Sequence, residues 1–247
     1  MADDLQDAGE ESRHFGLAIG RCRWRQPADI AAARAAGRAR RLQLLVARCA
    51  ATDPATIHAA TAAGALLCDV LLTFSAAAAA VSAAVPADLT LRPAAAEDTA
   101  AVVALARAAF VGYPGHYRQD PRIDAAAADG LYPAWAVDLA GRAAQPTTPL
   151  LLAERSGALL GFCALQQLPD GADVRLLAVA QAARGCGVSD ALLAAAALQT
   201  IGWGLPQLYY TTQLANLAAQ RAVQRCGLRS SSADLTFHLW CDEQENV

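Results

Sequence analysis

Arg184-Gly185-Cys186-Gly187-Val188-Ser189 joins an apolar run, "VRLLAVA", to an alanine-rich one, "DALLAAAALQ". Two glycines one residue apart at a strand-to-helix junction let the backbone turn tightly and approach a ligand closely. Successive N–H groups at a helix start, with the helix dipole behind them, make an anion site suited to a phosphate or pyrophosphate. Three nucleotide-binding patterns compete for these residues. A GxxxxGK[ST] loop needs a lysine that is not there, and a GxGxxG turn would put Asp190 at its third glycine, an anion facing an anion. An RGxGx-small-xxLL pattern following an "LAV" strand fits position by position. An ordinary strand-to-helix turn without a ligand is the plain alternative.

Other residues of chemical interest are scattered. Tyr209 and Tyr210 adjoin on a strand and so point to opposite faces, one toward any cleft beside that strand, unless both simply pack. "YPGHYRQDP" gathers His116, Tyr117 and Asp120 in a turn-rich loop, either as polar and aromatic contacts for a ligand or as a plain turn. The seven cysteines, at 22, 49, 68, 163, 186, 226 and 241, are odd in number and form no CxxC pair. They read as free thiols in a reducing, cytoplasmic setting. Four histidines without HxxxH spacing predict no metal site.

The elements that would position these groups follow from periodicity. Residues 1–13 are acidic and polar, predicted to be flexible and unlike a signal peptide. "HFGLAIGRCRW", "LQLLVARCA" and "DVLLTF" read as strands, separated by "PADIAAARAAGRARR" and "TDPATIHAATAAG" as helices, a β-α-β-α-β order over about residues 15–75. "LTLRP" opens a second unit, followed by a helix with Val102, Leu105, Ala106 and Ala109 on one face. The helical stretch 122–142 is expected to break or bend near Gly130 and Pro133, and Ser156-Gly157 marks a hairpin. The strand "VRLLAVA" with its helix, "PQLYYTTQ", the helix "NLAAQRAVQRCG" and a last strand "ADLTFHLWC" complete an α/β chain. Residues 43–74 and 207–237 each run QL, strand, helix, Gly, strand, LTF, which predicts an internal structural repeat. The first copy lacks a glycine-rich loop before it and would keep the shape without the chemistry.

Composition sets the bounds. The chain has 247 residues, 55% hydrophobic and 17% charged, with a net charge of -3, so extended disorder and nucleic-acid binding are both disfavoured. "VLLTFSAAAAAVSAAVP" is the most membrane-like run, but a spanning helix needs about 20 apolar residues. A strand followed by an alanine-rich linker is expected there.

"LLAVAQAARGCGVSDALL" resembles the acetyl-CoA signature of the GNAT superfamily of N-acetyltransferases. "NLAAQRAVQRCGL" is similar to its second signature, NxxAxxxYxxxGF, at Asn216, Ala219, Gly227 and Leu228, and "LTLRPAAAEDTAAVVALARAAF" to its opening strand and helix. The "HYRQDPRIDAAAADGLYPAWA" stretch, together with the two-part layout, resembles the bacterial dTDP-fucosamine acetyltransferase group. The resemblance implies a GNAT fold with a splayed mixed sheet over 88–247, preceded by a half-GNAT-like domain over 14–87. It implies acetyl-CoA as co-substrate, a dTDP-linked 4-amino-deoxy sugar as acceptor and a homodimer; the charge composition and the short apolar run predict neither nucleic acid nor membrane as partner.

Residue roles come with it. Main-chain groups of Leu177 and Val179 would pair with the pantetheine arm. Arg184, Gly185, Cys186, Gly187, Val188 and Ser189 would hold the pyrophosphate, with Asn216 beside them. The Val179 N–H would face the developing oxyanion, and His116, Tyr117 and Asp120 would meet the acceptor. An acceptor amine with a pKa near 8 is free to about a tenth at pH 7, so a strong base is not essential. The family's general-acid tyrosine falls at Val223. Tyr209 or Tyr210 is the expected substitute, with Cys226 a weaker one; another small amine as acceptor, or a non-catalytic acyl-CoA-binding protein, are the alternatives.

Overall fold

"LLVARCA" is apolar at nearly every position, so the strand it forms is buried on both faces. This is β3, Leu44–Ala50, and it is the middle of the first of two compact units in the computed structural model, which describes residues 4–143 and 145–241. The first unit is made of residues up to Leu71, Pro114–Leu131 and the stretch from Ser232 onward; the second is Leu72–Tyr113 with Tyr132–Ser231.

In the first unit β1 (Gln6–Asp7) pairs antiparallel with β2 (Ile19–Arg23), β2 runs parallel to β3, and β3 pairs antiparallel with β10 (Arg229–Trp240) along Asp234–Trp240. Helix α1 (Gly9–Phe15) precedes β2, and α2 (Ala28–Ala39) makes the β2-to-β3 crossover that parallel pairing requires. Trp24, Ile30, Leu45, Ala60 and Phe237 are at the centre of this unit's core. Residues 4–13 are thus structured, contrary to the flexibility expected of 1–13. β1 supplies an edge strand, and Glu11 is buried in an ion pair with Arg21. Residues 1–3 of that expectation lie outside the described residues.

The second unit contains β5 (Thr90–Pro93), β6 (Leu150–Arg155), β7 (Ala158–Gln167) and β8 (Gly171–Val179) as an antiparallel series, with β9 (Gln207–Gln213) parallel to β8. The expected hairpin at Ser156-Gly157 joins β6 to β7, both residues in the left-handed region at φ 51° and 79°. Helix α4 (Thr99–Ala109) packs Val102, Leu105 and Ala106 against Phe162 and Leu176. Helix α7 (Val188–Gly202) buries Leu192, Leu193 and Ala196 in the core cluster that holds Leu165 and Val174. A short helix α5 (His116–Gln119) precedes α6 (Ala125–Gly141), which runs through Pro133 without a break. Proline costs one i→i−4 bond, which neighbouring turns can tolerate.

The repeat expected from sequence is present at the level of elements. β3, α3 (Pro54–Ala62) and β4 (Leu66–Ala77) have 7, 9 and 12 residues; β9, α8 (Leu217–Arg225) and β10 have the same lengths. Each helix is capped by a side-chain oxygen accepting from the N–H three residues on, Asp53 from Thr56 and Asn216 from Ala219. Each helix ends before a glycine at positive φ, Gly64 and Gly227, a backbone state that other residues adopt only at a cost. The last strand of each copy belongs largely to the other copy's surroundings: β10 pairs with β3, and in the second unit Thr73 Oγ1 of β4 lies 3.0 Å from Thr211 Oγ1 of β9. The sequential division into 14–87 and 88–247 is therefore replaced by an interleaved one. "VLLTFSAAAAAVSAAVP" forms the end of β4 and a short 3-10 turn, Ala78–Ala80. Among the described residues no helix is long and apolar enough to cross a membrane.

Candidate active site

β8 and β9 pair only from Gly171 to Val174 and Gln207 to Tyr210. Beyond Val174 the two strands part, while β8 remains paired with β7 as far as Val179. The Ala180 N–H donates to the Leu160 carbonyl at 2.8 Å, so 160 and 180 face each other as a bonded pair, and by alternation so do 162 and 178. Leu177 and Val179 then occupy the intervening positions, with N–H and C=O both turned away from β7. They face the side that β9 has left, an open strand edge two residues long.

A cavity of about 480 Å³ in the second unit begins at this edge. Its wall includes Leu177, Val179, Arg184, Gly185, Val188, Ser189, Tyr210, Asn216 and Val223. The chain reaches it through two positive-φ glycines, Gly185 and Gly187, both at 78°. A Cβ on Gly185 would meet nothing within 4 Å, so the glycine serves the backbone angle alone; one on Gly187 would sit 3.3 Å from Pro86 Cγ.

Two amides of the 184–189 row are already used, Arg184 N–H by the Gln181 carbonyl and Cys186 N–H by that of Ala183, each at 3.3 Å. The first intrahelical bond of α7 is Ala191 N–H to the Gly187 carbonyl, so the N–H groups of Val188, Ser189 and Asp190 stand at the helix mouth. The Asp190 carboxylate is turned to Arg225, whose Nε and terminal nitrogen donate to it at 3.0 and 2.8 Å, and it also accepts from Ser189 Oγ at 3.1 Å. Its charge is thereby balanced beside a site suited to an anion.

Asn216 caps α8 with its oxygen. Its Nδ2 donates to Thr212 Oγ1 at 3.0 Å and to the Tyr113 hydroxyl at 3.1 Å. Tyr113, which sequence reasoning passed over, also lines the cavity and donates its hydroxyl proton to Gln213 Oε1. The sequence signal was present: Gly112, at φ 68°, turns the chain after α4, and a residue before proline, as Tyr113 is before Pro114, is biased toward extended backbone. Phe110 and Tyr132 clamp its ring at centroid distances of 5.3 and 5.0 Å.

The two expected substitute acids separate as the strand's alternation requires. Tyr210 lines the cavity and is buried, its pKa pushed up by that burial. Tyr209 is not in the wall; its hydroxyl donates to Asp170 Oδ2 at 2.9 Å, which also raises its pKa. Cys186 is exposed but outside the wall with Gly187, and Cys226 is buried, its thiol pushed up to about 11 by desolvation. Val223 is buried in the core and shows one side to the cavity.

His116, Tyr117 and Asp120, expected to meet an acceptor, are not in the cavity wall. They are buried in the first unit. His116 Nδ1 lies 2.8 Å from His238 Nε2, and His238 Nδ1 lies 2.7 Å from Asp120 Oδ2, which also accepts from Trp240 Nε1 at 3.0 Å. Tyr117 packs at a tilt against His116 and Phe15, with ring centroids 4.1 and 4.5 Å away. The acceptor role is corrected to an internal one: β10 brings His238 and Trp240 under the loop, and the loop's polar groups close on them. Cys68, Asp120 and His238 have ligating atoms within 4.8 Å of one another, but both ring nitrogens of His238 are engaged by Asp120 and His116.

A model of the acetyltransferase (GNAT) family matches residues 101–228, just over half of the chain, and spans both the glycine turn and α8. No curated protein sequence matches. Among solved structures, a GCN5-related N-acetyltransferase from Kribbella flavida is similar at TM-score 0.61 and 16% identity, over 90% of this chain and 80% of that one. A tandem GNAT protein from the clavulanic acid biosynthesis pathway is similar at TM-score 0.61 and 16% identity, over 93% and 77%. A conserved protein of unknown function from Staphylococcus epidermidis is similar at TM-score 0.63 and 10% identity, over 93% and 87%. With its parted strands, glycine turn and matched signatures, the chain belongs to the GNAT family of acetyltransferases, which use acetyl-CoA as acetyl donor.

Proposed function

We propose that this acyltransferase moves the acetyl group of acetyl-CoA onto the amine of a nucleotide-linked 4-amino-deoxy sugar of the dTDP class, by direct attack of the amine on the thioester. The observation that carries the donor half is the open edge at Leu177 and Val179 ending at the amides of α7 in one cavity. Residues of this chain fit the donor: the edge offers N–H and C=O groups to an amide-bearing arm as an added strand would use them. Gly185, Gly187, Val188 and Ser189 offer amides to a diphosphate. Arg184 and Arg221, both in the wall, add positive charge. Arg184 keeps a place in the site through its side chain and not its amide, whereas Cys186 lies outside the wall with its amide already bonded.

The chemistry asks little more of the protein. The Val179 N–H, aimed off β7, is placed to donate to the oxyanion of the tetrahedral intermediate; removing such a donor typically costs about 10²–10³ in rate. A neutral amine forms the C–N bond, the C–S bond breaks, the nitrogen loses its extra proton to solvent, and the thiolate takes one up.

The amino-sugar half rests on the likeness of the whole chain, its two-part layout above all; His116, Tyr117 and Asp120 lend it no contact. Among the described residues the wall contains no Asp or Glu, which disfavours a polycationic acceptor. A second acceptor, a small amine with an apolar body, is favoured by exposed Val111, Leu214 and Leu217, neighbours in sequence of the bonded Tyr113, Gln213 and Asn216. A bacterial, cytoplasmic homodimer belongs to the same proposal, and sedimentation tests the dimer. Titration calorimetry with acetyl-CoA, then thiol release over dTDP-4-amino-4,6-dideoxyhexoses, aryl and alkyl amines, spermidine and an aminoglycoside, tests the function. Turnover best on the dTDP sugars supports it; turnover confined to other amines replaces the acceptor; binding without release on any of them overturns the catalytic reading.

A further inference from the structure

The departing thiolate needs a proton, and the position from which relatives with the NxxAxxxY pattern would supply it is Val223, an alkyl group. The proton donors in the cavity wall are few. Ser189 Oγ is engaged with Asp190, the arginines of the wall do not release protons at neutral pH, and Tyr209 is outside the wall and bonded to Asp170. Among the described residues of the wall two hydroxyls remain, Tyr210 and Tyr113.

Their surroundings differ in the sense that matters for an acid. Tyr210 is buried, and its pKa is raised by that burial and by Tyr113, Cys163 and Asp173, which outweigh the one lowering contact, a hydrogen bond with Thr212. Tyr113 accepts a hydrogen bond from Asn216 Nδ2, a contact that strengthens when the hydroxyl becomes phenolate. Its proton is held by a neutral carbonyl oxygen, Gln213 Oε1, from which it can swing to a stronger acceptor. The ring between Phe110 and Tyr132 fixes where the oxygen sits. Asn216 and Val223 are seven residues apart, two turns of α8, and so share a face. Tyr113, whose hydroxyl Asn216 holds, lines the same cavity as Val223. α8 thus carries no tyrosine at Val223, while the turn after α4 brings Tyr113 to the same cavity.

We propose that Tyr113 is the general acid of this chain, oriented by Asn216 and Gln213, and that its hydroxyl protonates the sulfur of coenzyme A as the C–S bond breaks. The proton shed by the attacking nitrogen, delivered through solvent, restores the phenol, so the cycle balances without another reactant. This inference rests on the acetyl-transfer reading of the same cavity.

The first measurement needs no acceptor. Coenzyme A and its desulfo analogue are titrated into the wild type, Tyr113→Phe and Tyr210→Phe at pH 7 and pH 9, the latter above the thiol's ordinary pKa of about 8.5. A hydroxyl donating to the thiolate predicts that coenzyme A binds the wild type on the order of tenfold tighter than the desulfo analogue at pH 9, as a hydrogen bond to a charged group is worth. The gap narrows at pH 7, vanishes in Tyr113→Phe and persists in Tyr210→Phe. No gap in the wild type, or a gap that survives Tyr113→Phe, overturns the proposal whatever the acceptor.

With an acceptor in hand, Tyr113→Phe is expected to lower kcat by about 10²-fold, with KM for acetyl-CoA held within twofold and the alkaline fall of the wild-type pH profile gone. A Tyr113→Phe enzyme of undiminished kcat, or a loss that moves to Tyr210→Phe, overturns it. Failure of every amine while the affinity gap stands would refute the acceptor proposal and leave the assignment of Tyr113 intact.

Discussion

Asn216 is one residue with three jobs: it caps α8, ties that cap to β9 through Thr212, and holds the hydroxyl of Tyr113. Asn216→Ala should destabilise the chain by about 1 kcal/mol, the usual cost of a lost N-cap. Asn216→Asp, which keeps the capping oxygen and loses both Nδ2 donations, should stay within about 0.5 kcal/mol of wild type. Urea melts of the two variants check this, and a larger loss for Asp than for Ala would contradict the division of labour. Gly185 poses a different residue-scale question, since the space where its Cβ would sit is empty and only φ forbids a side chain. Gly185→Ala should cost about 1–2 kcal/mol of backbone strain. It should also weaken acetyl-CoA binding beyond that, by moving the amide row; calorimetry beside a melt separates the two effects.

At the scale of elements, β8 does two things with alternate residues. One set of main-chain groups holds β7, and the other faces the gap left by β9. Proline removes an N–H, which makes this division testable. Ala178→Pro should break a ladder bond and lower the melting temperature by several degrees, since about 1 kcal/mol shifts a chain of this size by 2–4 °C. Val179→Pro removes an N–H that no neighbouring strand uses. It should melt closer to wild type and still lose acetyl transfer by about 10²-fold, measured as thiol release. Equal destabilisation by the two would mean that the edge is not open in the sense described. The glycine turn and β8 act as one device: the strand ends where its free edge runs out, and two left-handed glycines bring α7's mouth to that end.

For the molecule as a whole, the first unit depends on its last strand. β10 covers β3 along seven residues and delivers His238 and Trp240 to Asp120. A fragment of residues 14–87 would leave β3 with an unpaired edge and should not give a dispersed amide spectrum, whereas the full chain should. The buried polar cluster also sets a pH dependence. Burial, and then His238, Arg48 and Arg21, hold the His116 pKa well below 6.5. The unfolded chain takes up a proton near 6.5 and the folded chain does not, so stability is full above that pH and falls below it, by up to about 1.4 kcal/mol per pH unit. Burial alone would raise Asp120, but bonds from His238, the Arg122 N–H and Trp240 outweigh it and hold the carboxyl low. Its contribution is present above pH 3.8 and is lost below. Acid therefore acts in one direction through both groups. Urea midpoints from pH 8 to pH 5 should decline in the wild type and flatten in His116→Leu, even if that variant is less stable at pH 8.

Sequence by itself was enough for what local chemistry decides. Glycines at positive φ, cap residues at Asp53 and Asn216, the Ser156-Gly157 turn and the period of α4 each write their own structure, and the strand–glycine–helix order is legible in the same local way. The same was true of the duplicated strand-helix-strand lengths, because each copy repeats its own caps and stops. Long-range pairing was another matter. Nothing local says that β10 lies against β3, so His116, Tyr117 and Asp120 read as an exposed loop until His238 and Trp240 arrived from 120 residues away to bury them. Nor does a hydroxyl in a turn after α4 say that Asn216, a hundred residues on, will hold it. Periodicity fixes which face of an element is apolar; only the tertiary structure decides what that face, or the polar group beside it, is set against.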